Sequence, residues 1–264
     1  MLSWLKRRRD ARTLATRAIP DALWQLTLAR FPFLAHRSAD DVTRLRAMST
    51  LFLAEKEFSG AHGLEVDDAM AVAIAAQACL PVLELGLAWY DGFVGIVVHA
   101  DGAVAQREFT DDDGVVHHYE EELSGEAMHG GPVMLSWRDV AEAGESAEYG
   151  YNVVIHEFAH VLDMRDGLAD GVPPLPDRAA REQWLQVLEP EFEAFCDRVD
   201  TDGDTLLDPY AAEAIEEFFA VACEAFFVAP HDLRSVHPPL YDLLRGFFKQ
   251  DPEAPREKCA LRVR

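Results

Sequence analysis

The stretch Val153-Val154-Ile155-His156-Glu157-Phe158-Ala159-His160-Val161-Leu162-Asp163-Met164 decides how the rest of the chain is read. It carries His-Glu-x-x-His inside an apolar segment, and the pattern predicts a buried helix. Because an α-helix turns every 3.6 residues, His156 and His160 lie on one face about one turn apart. Two imidazoles so placed can take two corners of a tetrahedral Zn²⁺ site. Glu157 lies roughly 100° round the helix from His156. There it can reach a metal-bound water without binding the metal, which is the position of a general base. The competing reading is two partly exposed histidines on an ordinary amphipathic helix. The setting favours the metal. Apolar residues surround the polar trio, and each unpartnered buried polar group costs about 1–3 kcal/mol.

A catalytic zinc site needs a third protein ligand and an open position. Asp166 is one candidate. It follows His160 by six residues, where one group of zinc peptidases places a third ligand after a glycine turn. Here Asp163 stands at the turn position, and it tolerates the bend less well than glycine. The other candidates lie between Asp208 and Phe227, an apolar segment read as one helix. Glu213, Glu217 and Glu224 share a face of it, and Glu216 lies apart. Glutamate joins two histidines in known catalytic zinc sets. Periodicity alone does not choose among the three.

The 264 residues suffice for one large domain, and an apolar fraction of 49% supplies its core. A net charge of −23 argues against a nucleic-acid partner and predicts a solvated acidic surface. Cys79, Cys196, Cys223 and Cys259 form no Cys-x-x-Cys pair and are too sparse for a disulfide scaffold. Reduced thiols in a cytoplasmic protein fit best. Lys6-Arg7-Arg8-Arg9 is followed by no apolar run, so no signal peptide is expected. Ala69 to Leu87 is interrupted by Gln77, Pro81 and Glu84, and falls short of a membrane span. The expected division is a basic, flexible segment over residues 1–20, one domain over 21–252 and a frayed tail over 253–264.

Helices are predicted from Ser38 to Phe58, from Asp67 to Leu80, from Arg178 to Val199 and around Tyr241 to Phe248. Strands are predicted at Trp89 to Val98, Val104 to Thr110, Val115 to Leu123 and Pro132 to Trp137, with a turn at Asp111-Asp112-Asp113-Gly114. The expected class is α+β: mostly helical, with a small, largely antiparallel sheet before the metal-binding helix. The segment from Ser124 to Trp137 is either an edge strand that pairs with an extended substrate or a plain structural strand. His117, His118 and His129 are expected not to bind the metal.

His156-Glu157-Phe158-Ala159-His160-Val161-Leu162-Asp163-Met164, taken with Tyr210-Ala211-Ala212 and Glu217-Phe218-Phe219-Ala220-Val221, resembles the Mlc titration factor A family of bacterial zinc-dependent peptidases. Ser124-Gly125-Glu126-Ala127, Gly131-Pro132-Val133, Leu135-Ser136-Trp137 and Gln250-Asp251-Pro252 resemble it too. The resemblance covers most of the chain and is weakest in the first thirty residues. It implies a zincin-like fold related to the catalytic domain of anthrax lethal factor. It implies one Zn²⁺ held by His156, His160 and Glu217, with Glu157 as general base and Tyr210 steadying the oxyanion. Glu224 is then a candidate to orient a ligating histidine, or to form a buried structural pair. The implied activity is a metallopeptidase acting on peptides or proteins, within chains or as an aminopeptidase. The family also implies a regulatory binding function, in which the protein sequesters an Mlc-type transcriptional repressor linked to glucose phosphotransferase expression. No membrane partner is expected.

Overall fold

Short polar side chains start the helices that frame the molecule. In a computed structural model the chain is described over residues 2–110, 116–201 and 203–254. The turn at 111–114, residues 255–264 with Cys259, and the side chains of His117 and His118 lie outside the described residues. Helices α1 (Leu2–Thr16), α2 (Asp21–Arg30), α3 (Pro32–Ala35) and α4 (Ala39–Glu55) come first. Strand β1 (Glu57–Gly60), helix α5 (Asp68–Cys79) and strand β2 (Gly95–His99) follow. Next are β3 (Ala103–Thr110), β4 (Val116–Leu123), β5 (Gly125–Ala127) and β6 (Val133–Ser136). The remainder is helical: α6 (Trp137–Ser146), α7 (Val153–Asp163), α8 (Arg178–Asp200), α9 (Ile215–Val228), α10 (Pro230–Val236) and α11 (Pro238–Phe248). Ser38 Oγ accepts from Asp41 N at 3.1 Å and Asp67 Oδ1 from Met70 N at 2.8 Å, as N-caps do. No described helix is long and apolar enough to cross a membrane.

The fold class is α+β, as the sequence predicts, but the sheet is mixed rather than largely antiparallel. Its order is β1-β2-β6-β5. The pairs β1–β2 and β2–β6 are parallel, and only β5 runs antiparallel to its neighbour β6. A separate antiparallel pair, β3–β4, supplies the hairpin the sequence led us to expect. The parallel pairs arise because α5 crosses over between β1 and β2, and the hairpin and β5 intervene between β2 and β6. Strand β1 takes Phe58, which the helical spacing assigns to the end of α4. Ile96 and Val98 are fully buried, and Val133 and Leu135 beside them are buried to within 1%.

The basic N-terminal segment forms helix α1. Helix α1 lies along α4, with Arg9 bridged to Glu55 at 2.6 Å. At the other end, Tyr241 donates to Asp251 Oδ1 at 2.6 Å and accepts from Glu253 N at 3.2 Å, so residue 253 is tied down.

Candidate metal centre

Helix α7 is fixed at its start and from behind. Asn152 Oδ1 caps it, accepting from Ile155 N at 2.9 Å. Phe158 is fully buried and meets Tyr90, Phe52 and Phe93 with ring centroids 5.0–5.8 Å apart. Removing such a ring costs about 3–5 kcal/mol, so the back of the helix is firmly seated. Its other face carries His156, Glu157 and His160 towards α9. Helix α9 is in turn held by Phe218, whose ring lies 5.5 Å from Phe192 and 5.4 Å from Phe195. Glu217 and Glu224 are seven residues apart, two turns along one face, and that face meets α7.

Three atoms converge between the helices. Glu217 Oε2 lies 3.1 Å from His156 Nε2 and 3.3 Å from His160 Nε2, and the two Nε2 atoms are 3.2 Å apart. Glu217 Oε2 is buried and has no hydrogen bond. Behind His156, its Nδ1 faces Glu224 Oε1 at 2.8 Å, and Glu224 Oε2 accepts from Asn152 N. A carboxylate opposite Nδ1 holds the proton there, so Nε2 turns its lone pair into the cluster. Acceptor atoms crowded this closely repel unless a cation sits among them. His156, His160 and Glu217 are the group among the described residues that could hold a metal ion. Two imidazoles and a carboxylate suit zinc, and leave room for an open position.

Without a metal, protons take its place. Burial disfavours the charged Glu217 carboxylate, but His156 and His160 outweigh it and hold the group well below the usual range. Burial disfavours a charged His156, yet Glu217 and Glu224 outweigh it and raise the imidazole well above its ordinary value. The spot favours positive charge.

Glu157 stands beside this cluster and is only 4% exposed. Burial pushes its carboxyl up to about 7, against the pull of His156 and His160. Strand β5 passes so close that only glycine fits. A Cβ on Gly125 would sit 2.5 Å from Glu157 Oε1 and 2.6 Å from its Cγ. A cavity of about 600 Å³ opens here, lined by Ser124, Gly125, His156, Glu157 and Tyr210, among others. Strand β5 is the edge of the four-stranded sheet on this side.

Tyr210 is 40% exposed, with its ring centroid 6.3 Å from that of His156. The sequence suggests one helix from Asp208 to Phe227, but Tyr210 lies outside α9. Pro209–Ala212 forms a separate 3₁₀ turn, started by Asp208 Oδ1 accepting from Tyr210 N at 2.9 Å, and Ala214 is extended before α9 begins.

The other candidates stand elsewhere. Asp166 is exposed and caps its own turn, accepting from Leu168 N at 3.2 Å, so it does not join the cluster. Glu213 and His129 are exposed as well. Gly125 and Asn152 are the residues sequence reasoning missed. Asn152 had a legible signal, a short polar residue directly before an apolar helix. Gly125 had none, since its role depends on a helix far along the chain.

Residues 3–249 match a family model described as glucose-regulated metallo-peptidase M90. Curated relatives named Mlc titration factor A are similar over most of their length. The one from Enterobacter sp. (strain 638) is 37% identical over 238 residues, 88% of each chain. The one from Salmonella arizonae is 37% identical over 235 residues, 88% of this chain and 92% of the relative. The one from Klebsiella pneumoniae is 36% identical over 241 residues, 90% of this chain and 89% of the relative.

Proposed function

We propose, from the premise that the chain belongs to the glucose-regulated metallo-peptidase family M90, that it is a cytoplasmic zinc peptidase of zincin-like fold. The observation that carries this reading is the convergence of two imidazole nitrogens on a buried carboxylate oxygen without a hydrogen bond, beside the buried Glu157. His156, His160 and Glu217 hold one zinc per chain. When bound, zinc supplies Lewis acidity, lowering the pKa of a water from 15.7 towards about 7 and polarising a carbonyl.

The chain's own residues do the rest. Glu157 takes the proton of the attacking water on its carboxylate and returns it to the leaving amine. A carboxylate can both accept and release that proton. The Tyr210 hydroxyl donates to the carbonyl oxygen as it gains negative charge. Glu224 keeps the proton of His156 on Nδ1 and the ring in place. Edge strand β5 pairs with an extended peptide and leads its backbone past Glu157. Glu148, Asp208 and Asp232 also line the cavity. Their negative charge suits the free α-amino group of a peptide's first residue, which favours aminopeptidase action.

The test is hydrolysis of aminoacyl anilides and of longer peptides by the purified protein. Activity should vanish with a chelator and return with zinc. Peptide cleavage indifferent to chelation would contradict the reading.

The name of the relatives supports a second function alongside the first, the titration of an Mlc-type repressor. Mixing the purified protein with such a repressor and its operator DNA should release the DNA. An unchanged DNA complex at excess protein would remove this second function.

A further inference from the structure

Gln77 is fully buried on α5 among Ala73, Ile74, Ala76, Ala78 and Cys79. A buried side-chain amide needs partners for both of its ends. Gln77 Nε2 donates to the Ala73 carbonyl one turn back, at 3.1 Å. That bond fixes which end of the amide is the donor. Oε1 therefore faces away from the turn, and it accepts from Asn152 Nδ2 at 2.7 Å. Asn152, also fully buried, is oriented by this bond. With Nδ2 spent on Gln77, its Oδ1 is left to cap α7 at Ile155 N. Its backbone N–H then points at Glu224 Oε2, and Glu224 Oε1 meets His156 Nδ1 at 2.8 Å.

We infer that Gln77 and Asn152 are positioning residues for His156. They form a buried hydrogen-bonded line from α5 across the cap of α7 to Glu224. The line has one consistent set of donors and acceptors. Gln77 fixes Asn152, and Asn152 gives Glu224 one of its two donors. Glu224 so held keeps the His156 proton on Nδ1 and Nε2 aimed between His160 and Glu217. The site is thereby set before a metal arrives. Groups that hold metal-binding histidines from behind typically change metal affinity about 10–100-fold when removed. Gln77 reaches the metal through three intermediaries, so the lower end of that range applies. The inference rests on the metal reading above.

Two substitutions cut the line in different places. Gln77→Leu removes the amide at nearly constant size. Asn152→Ser keeps a good helix cap but is too short to reach Gln77. It carries the test if Gln77→Leu does not fold. Ile74→Val, on the same buried helix and outside the line, is the control for loosened packing. The readouts are the zinc dissociation constant, by competition with a chromophoric chelator, and the His156 Nδ1–H signal by NMR in zinc-free and zinc-loaded protein. Both line variants should bind zinc about tenfold more weakly than the wild type. Their Nδ1–H should exchange faster with solvent, and Ile74→Val should match the wild type in both respects. Line variants that behave like Ile74→Val would overturn the inference. So would an effect of Asn152→Ser with none from Gln77→Leu, because Gln77 would then have no part in holding Asn152. A wild type that takes up no zinc would instead remove the metal reading, and the Nδ1–H signal would still decide whether the line orients His156.

Discussion

Gly125→Ala places a methyl group against the proposed general base. The added Cβ would lie 2.5 Å from Glu157 Oε1, 2.6 Å from Cγ and 2.7 Å from Cδ, where ordinary contact begins near 3.4 Å. Either Glu157 or strand β5 must give way by about 0.9 Å. Glu157 is the part with rotatable bonds, while β5 is tied to β6 by its ladder. A base works only with its oxygen within about 2.6–3.2 Å of the atom that carries the proton it takes, a window narrower than that displacement. Misplacement of about 1 Å costs on the order of 100-fold in rate, or about 2.7 kcal/mol of transition-state stabilisation. The loss should fall on kcat, because the three metal-binding atoms stay in place. The assay is steady-state hydrolysis of a peptide substrate, with zinc content and Tm measured on the same sample. A variant with wild-type kcat, or one that loses its zinc, would refute the argument that Gly125 makes room for Glu157.

Other residues give separate predictions. Glu157→Gln should retain zinc and lose about 100-fold or more in turnover; zinc lost with turnover would make Glu157 a ligand instead. Tyr210→Phe should lower kcat about 100-fold with KM little changed, and a KM effect alone would make the ring a binding surface. Asp163 is fully buried, and burial lifts it to about 6 from 3.8, with the Gly171 N–H opposing. The folded state thus binds this proton more tightly than the unfolded state does. The stabilisation is present below about pH 4 and is lost as pH rises through 6, amounting to at most about 3 kcal/mol. Tm curves should therefore show Asp163→Asn gaining on the wild type between pH 5 and pH 8. A constant Tm difference would remove that account.

The part of the site that depends on one helix was open to sequence reading. His156, Glu157 and His160 are placed by local geometry alone, and α7 delivers them as the spacing predicts. Glu217 was different. Three glutamates share one helical face on paper, but the extended Ala214 starts α9 late and leaves Glu213 exposed outside it. Tyr210 reaches the site on its own 3₁₀ turn, which Pro209 and the Asp208 cap begin. The parallel pairing of the sheet was hidden because β1 is four residues long, follows α4 directly, and finds its partner only after α5. The basic segment at the start reads as solvated because of its charge. Its helix is held by contacts with α4 and by the Arg9–Glu55 bridge, both remote in sequence.

Metal content bears most directly on the whole account. Elemental analysis of the wild type and of Glu217→Ala, purified side by side and checked for folding, should find about one zinc per wild-type chain and little in the variant. Zinc retained in full by folded Glu217→Ala, or no zinc in either protein, would contradict the assignment of His156, His160 and Glu217 as its ligands.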